Sequence, residues 1–107
     1  MIEQSEAFLL IDMDTLERVT PVIRNVAHPL RLRILDYLDQ AGAARNVTDI
    51  TEAVGASQAI VSQQLRILKD TGVLTAKREG SFMFYGLADR SVLLILECIR
   101  SHQNPAK

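Results

Sequence analysis

Apolar residues recur at helical spacing through the first two thirds of the chain, give way to alternation after Gly72, and return in a last segment that is apolar nearly all round. A first helix is expected from about Glu3 to Val19, with Leu9, Met13 and Leu16 on one face. Pro21 either kinks this segment or starts a fresh turn through Val22, Ile23 and Val26; at this level both options stay open. Pro29 opens a second helix to Leu38, whose Leu32, Leu35 and Leu38 fall at helical spacing, and Gly42 closes it. In "NVTDITEAVG" a short helix starts at Thr48 and stops at Gly55, with Val47, Ile50 and Val54 turned inward.

The next stretch, "SQAIVSQQLRILKDTGVL" (57–74), begins with a capping serine and breaks at Thr71-Gly72. Successive helical residues lie about 100° apart, which puts Ile60, Val61, Leu65, Ile67 and Leu68 on one side. Gln58, Ala59, Ser62, Gln63, Arg66 and Lys69 occupy the other. Gln64 falls inside the apolar arc and is expected to be a structural hydrogen-bonder, not an exposed polar group. "VLTAKREGSFMFYGL" then reads as a hairpin turning near Glu79-Gly80, with Phe82 and Phe84 on one face and Met83 and Tyr85 on the other. Lys77, Arg78 and Ser81 sit at its tip. A final helix is expected from a capping Asp89 to about Ser101. Its Val92, Leu93, Leu94, Ile95, Leu96, Cys98 and Ile99 leave only a narrow polar sector, so it must be buried on more than one side.

The chain has 107 residues, enough for one domain with a modest core, so such an apolar helix points to a partner subunit. The single cysteine, Cys98, excludes an internal disulfide and a zinc site built from several thiolates, and fits a reducing, cytoplasmic setting. The N-terminal stretch has no early base and its apolar run is broken by Asp12, so no targeting or membrane-spanning segment is expected. The net charge of −1 conceals an asymmetry. Residues 1–17 hold five acids and no base, leaving twelve bases against eight acids, or +4, in the remainder.

Two short helices joined by "GAS", the second presenting Gln, Ser and Arg and followed by a basic hairpin, form a helix-turn-helix with a wing. A helix of about 10 to 12 Å diameter fits a major groove of about 12 Å. There Gln can bond adenine edges in bidentate fashion, Ser can donate or accept, and Arg or Lys can take guanine or phosphate. Gln58, Ser62, Gln63 and Arg66 are the candidate base readers, with small Ala59 allowing close approach. Lys69, Lys77, Arg78 and Ser81 complete the candidate DNA surface. An amphipathic helix alone usually faces only water. The combination of a short-polar, basic face, a tight preceding turn and a basic wing tips the reading toward double-stranded DNA.

The blocks "VAHPLRLRILDYL" (26–38) and "SQAIVSQQLRILKDTGVLTAKREGSFMFYGL" (57–87), followed by the last helix, resemble the ArsR/SmtB family of bacterial winged-helix repressors over about Val22 to His102. The family often carries a His in the pair after the Ser of its DNA-reading helix, where this chain has Gln63-Gln64. The resemblance implies a mainly α fold with a β-hairpin wing, in the order α-α-α-α-β-β-α. Its parts would be an N-terminal dimerisation helix (1–20), the helix-turn-helix (46–70), the wing (73–87) and a C-terminal dimerisation helix (89–102). It also implies a homodimer joined by the first and last helices, through Leu9, Met13, Leu94, Ile95, Cys98 and Ile99, that represses transcription from an operator until an inducer intervenes.

Metal sensing at the family's usual positions is not expected. In the last helix those positions fall on Asp89, Ser91, His102 and Pro105, so two of the four ligands are missing; the other common site falls in "NVTDI", which has no cysteine. Asp89 reads instead as a helix cap, His102 as a residue at a helix end, and His28 as a helix-start residue. Cys98 and His102, four apart, share a face, but a lone Cys on an apolar helix reads as a small core residue. No cofactor is expected, and no paired carboxylates, Ser/His/Asp set or phosphate loop suggest an enzyme. The rival reading is a winged-helix protein-interaction module that has lost DNA binding. The Gln/Ser/Arg face opposes it, because interaction surfaces favour exposed aromatic or aliphatic anchors.

Overall fold

Asp12 decides where the first helix starts. In the computed structural model, which describes residues 7–103, Asp12 is extended, and its Oδ1 accepts from the Thr15 backbone N–H at 2.7 Å and its Oδ2 from the Thr15 hydroxyl at 3.0 Å. Helix α1 therefore spans Met13–Val26, and residues 7–12 ahead of it have no regular structure. The expected helix from about Glu3 to Val19 is thus corrected at both ends, its first residues (3–6) lying outside the described ones. A carboxylate that caps cannot also be an interior helical residue. The Thr15 bonds hold the Asp12 carboxyl below its ordinary pKa. Pro21 lies inside α1, which continues through it without a fresh start. It has no N–H to donate to the carbonyl four residues back.

α1 ends at Ala27, and His28 then serves as the N-cap of α2, Pro29–Ala41, accepting from Arg31 N–H at 3.5 Å. Pro29 fills the first helical position, where a missing N–H costs nothing, and Gly42 closes the helix in the left-handed region at φ 69°. Strand β1, Arg45–Asn46, follows at once, and Asn46 caps α3, Val47–Val54, by accepting from Asp49 N–H at 2.8 Å. The cap is therefore Asn46 and not Thr48. Gly55, at φ 75°, reverses the chain into α4, Gln58–Asp70, capped by Ser57.

Strands β2, Leu74–Glu79, and β3, Phe82–Leu87, pair antiparallel from Leu74↔Leu87 to Glu79↔Phe82 across a two-residue loop, Gly80-Ser81. Gly80 has φ 65° and Ser81 has no positive φ, as a type II′ hairpin requires. β3 also pairs with β1, giving the order β1-β3-β2. The third strand is missing from the α-α-α-α-β-β-α order, because two residues are too short to show a period. α5 spans Val92–Arg100, with Ser91 at its N-cap position. Asp89 lies outside it, its Oδ1 accepting from the Ser91 N–H at 3.0 Å and hydroxyl at 2.6 Å, so Asp89 organises the turn before the helix and does not cap it.

The core lies where α2, α3, α4 and the base of the wing meet: Ile34, Leu35, Leu38, Ile50, Val61, Leu65, Leu68, Val73 and Leu74 are buried. Val26, Val92 and Leu96 close it from α1 and α5. Among the described residues, Gln64 is the polar residue that is buried with it. Gln64 is 8% exposed, and its Oε1 accepts from Arg31 Nε at 2.6 Å while Arg31 Nη1 donates to the Asn25 carbonyl at 2.9 Å. Three helices, α1, α2 and α4, are joined through that one guanidinium. Arg100 of α5 pairs with Asp36 and, at 2.9 Å, with Asp39 of α2.

Two predictions follow from these contacts. Gln64→Leu leaves Arg31 Nε without its acceptor and is expected to cost about 1–3 kcal/mol. Adding Arg31→Leu should recover part of that loss, since removing both members of the pair is milder than removing one, although the Asn25 carbonyl then loses its donor. Denaturant unfolding at fixed protein concentration measures both, and equal loss in the single and double variants would refute the coupling. Partial burial raises the Asp36 pKa, but hydrogen bonds from Arg100 and Gln40 and the charges of Arg100 and Arg33 outweigh it, holding the carboxyl below its ordinary 3.8. Its contribution to stability is therefore complete above that value and is lost as pH falls through the lower, folded value. Asp36→Asn should lower the unfolding midpoint slightly at neutral pH, the pair being partly screened, and the difference should begin to shrink below about pH 4 and vanish only below the lower, folded-state pKa. A pH-independent difference would count against the charge.

Candidate nucleic-acid interface

The exposed side of α4 is defined by what the other side buries. Val61, Gln64, Leu65 and Leu68 are buried and Ile67 is half-buried, so a single arc of the helix faces the core. Gln58, Ala59, Ser62, Gln63, Arg66 and Lys69 are all exposed, as expected from their spacing. Among the described residues no hydrogen bond or ion pair engages the side chains of Gln58, Ser62, Gln63, Arg66 or Lys69. Their donors and acceptors point to solvent. Ala59, Ile60, Ser62, Gln63 and Arg66 together line a shallow hollow of about 450 Å³.

The start of α4 is fixed by Ser57, whose Oγ accepts from Ile60 N–H at 3.3 Å. That cap satisfies one of the free N–H groups of the first turn and sets the direction in which Gln58, Ala59 and Ile60 project. The helix end is held as well: the Thr71 hydroxyl donates to the carbonyls of Ile67, at 3.0 Å, and Leu68, at 3.1 Å. Buried Val73 and Leu74 then carry the chain into the wing. Lys77, Arg78 and Ser81 are exposed at the hairpin end. Consecutive strand residues face opposite ways, so Lys77, opposite Phe84, and Arg78, opposite Met83, leave the hairpin on different faces.

Ile60 is misplaced by the wheel. Assigned to the apolar side, it is 48% exposed and lies in the same hollow as Ser62 and Gln63. The buried arc centres between Val61 and Leu68, roughly 90° from Ile60 at 100° per residue. Centring the wheel on the innermost leucines instead of grouping by residue type would have revealed this.

Of the residues assigned to subunit contact, Leu9, Met13, Leu94, Cys98 and Ile99 are exposed, and Ile95 is half-buried against the core of its own chain. Leu16, Val19 and Ile23 add to the exposed apolar face of α1, and Phe8, Leu10 and Ile11 stand exposed ahead of it. As for metal positions, Asp89 is engaged with Ser91, which lowers its pKa, His102 is exposed, and Pro105 lies outside the described residues. No three His, Cys, Asp or Glu side chains converge among the described residues as a metal site needs. Nor is any helix among them long and apolar enough to cross a membrane.

Comparison with known proteins agrees with this geometry. A sequence model of the bacterial regulatory proteins of the arsR family matches residues 28–76, which run from the cap of α2 to the first half of the wing. The chain is 34% identical over 87 residues to the HTH-type transcriptional regulator NmtR of Mycobacterium tuberculosis, covering 81% of this chain and 71% of that protein. Its fold is similar to the crystal structure of the antimony-specific transcriptional repressor AntR, with TM-score 0.79, 32% identity and coverage of 94% of this chain and 91% of that one. It is also similar to the homodimeric winged helix-turn-helix DNA-binding domain Mb0332 of Mycobacterium bovis, a possible ArsR-family regulator. There the TM-score is 0.69 at 32% identity, covering 82% of this chain and 80% of that one.

Proposed function

We propose that this chain, which belongs to the ArsR family of bacterial regulatory proteins and is a winged helix-turn-helix, sequence-specific DNA-binding transcriptional regulator, works as a homodimeric repressor. In this reading α4 enters the major groove and the wing holds the backbone. The observation that carries it is the exposed face of α4. Polar and basic side chains that find no partner among the described residues occupy a helix whose other side is anchored in the core by Val61, Gln64, Leu65 and Leu68, so they are presented in fixed directions to whatever fills the groove in front of them. Gln58, Ser62, Gln63 and Arg66 read base edges, while Lys69, Lys77, Arg78 and Ser81 contact phosphates.

Dimerisation rests on area. Leu94 is 72% and Ile99 44% exposed on a helix whose Val92 and Leu96 already fill the protomer core, and α1 offers a second apolar face. A patch of this kind normally meets a partner, and a two-fold arrangement places two copies of α4 about one DNA turn, roughly 34–36 Å, apart. The likeness to AntR does not bring its antimony specificity with it. A soft metalloid wants several thiolates, and this chain has only Cys98.

Three outcomes are expected. On DNA selected from random sequence, Gln63→Ala should cost about 1–3 kcal/mol and relax base preference, whereas Lys77→Ala should weaken all sequences alike and reduce the salt slope by about 0.9; an equal loss on selected and random DNA for Gln63→Ala, or a loss confined to selected DNA for Lys77→Ala, would overturn these roles, and no enrichment in the selection would favour a protein-interaction module. Leu94→Glu should yield a folded monomer by sedimentation, because Leu94 packs outside the protomer core, while a wild-type protein that is monomeric at micromolar concentration would remove the dimer. Added zinc, nickel or cobalt should change affinity for the selected DNA less than about threefold, under 1 kcal/mol. DNA release that disappears in His102→Ala would establish the opposite.

A further inference from the structure

Ile60 is a large apolar side chain exposed at the edge of the polar face of α4, where it shares a hollow with Ala59, Ser62, Gln63 and Arg66. It is the third residue of α4, its backbone held by the Ser57 cap at 3.3 Å, and it lies one helical turn before Gln63. β-branching leaves isoleucine few rotamers on a helix, so its methyl groups project in an almost fixed direction at little entropic cost. Of the four bases, only thymine offers an apolar group to the major groove, the C5-methyl.

Resting on the reading of α4 as the groove-entering helix, we infer that Ile60 determines sequence preference by packing on a thymine methyl group. It does so in the same stretch of base pairs whose adenine edge Gln63 reads. Helix neighbours three apart have Cβ atoms about 5–6 Å from each other, against a rise of 3.4 Å per base pair, so the thymine lies within about two base pairs of the pair read by Gln63. Ala59 borders the same hollow and leaves room for the approach. The polar readers cannot supply this contact, since a hydrogen-bonding group facing the methyl would be desolvated without return.

The test removes the methyl from either side. Selected DNA is compared with DNA in which each thymine in turn is replaced by uracil, which keeps the base pair and deletes only the methyl, at a single salt concentration. Wild type should lose about three- to fivefold at one thymine per half-site, the scale of burying one methyl, and be indifferent at the rest. Ile60→Ala should bind thymine and uracil DNA alike, with an affinity near that of wild type for uracil DNA. Ile60→Val, which keeps the branched methyls, should retain most of the preference. A wild type that binds selected DNA but ignores every replacement overturns the inference alone, as does a thymine preference that persists in Ile60→Ala. A wild type that binds no DNA overturns the reading of α4 as well.

Discussion

The Gln64 amide sits in the arc of α4 that has to be dry, and everything the helix presents outward depends on that arc staying closed. Val61, Leu65 and Leu68 supply the apolar burial, but Gln64 alone would oppose it, because a buried amide without a partner costs more than its stem gains. Arg31 reverses the sign. Its Nε donates to Gln64 Oε1 while Nη1 donates to the carbonyl of Asn25 at the end of α1, so one side chain satisfies the amide and secures the first helix at once. The contact fixes rotation as well as position: turning α4 by one residue would bring Gln63 or Leu65 opposite Arg31 and move the whole polar face by about 100°.

Rigidity at both ends of α4 complements this central contact. Ser57 accepts from the first turn and Thr71 donates into the last, and the buried Val73 and Leu74 make the path into the wing part of the core. Helix and wing are therefore joined through the core, and their relative orientation is set by packing. The short strand β1 contributes by binding the far edge of β3 just where Asn46 caps α3. Sheet and helix-turn-helix share that residue.

Charge is distributed by task. Among the acids ahead of residue 18, Asp12 caps α1 and Asp14 lies in its first turn, where the helix dipole favours negative charge. The exposed bases of α4 and the wing are Arg66, Lys69, Lys77 and Arg78, with Asp70 and Glu79 the acids beside them. Near-neutrality of the whole chain therefore says little about the charge that DNA meets. Arg100, held by Asp36 and Asp39, ties α5 to α2. α5 is thereby attached to the helix that carries the Arg31 contact.

The sequence alone determined the helices with strong periodicity, the polar face of α4, the structural role of Gln64, the cap at His28 and the hairpin, because each is written in local spacing or in one residue's chemistry. Tertiary structure decided the rest. The first helix begins at Asp12 because its carboxylate found Thr15 N–H; the start of α3 passed from Thr48 to Asn46; and Asp89 turned to Ser91 instead of capping α5. These are competitions between neighbouring polar groups for the same few N–H donors, and residue type cannot rank them. Strand β1 exists only because β3 lies beside it. Ile60 shows the same limit most clearly: its composition assigned it to the core, but how far a wheel is turned depends on which residues of α2 and α3 meet it, and that is set by packing between segments distant in sequence.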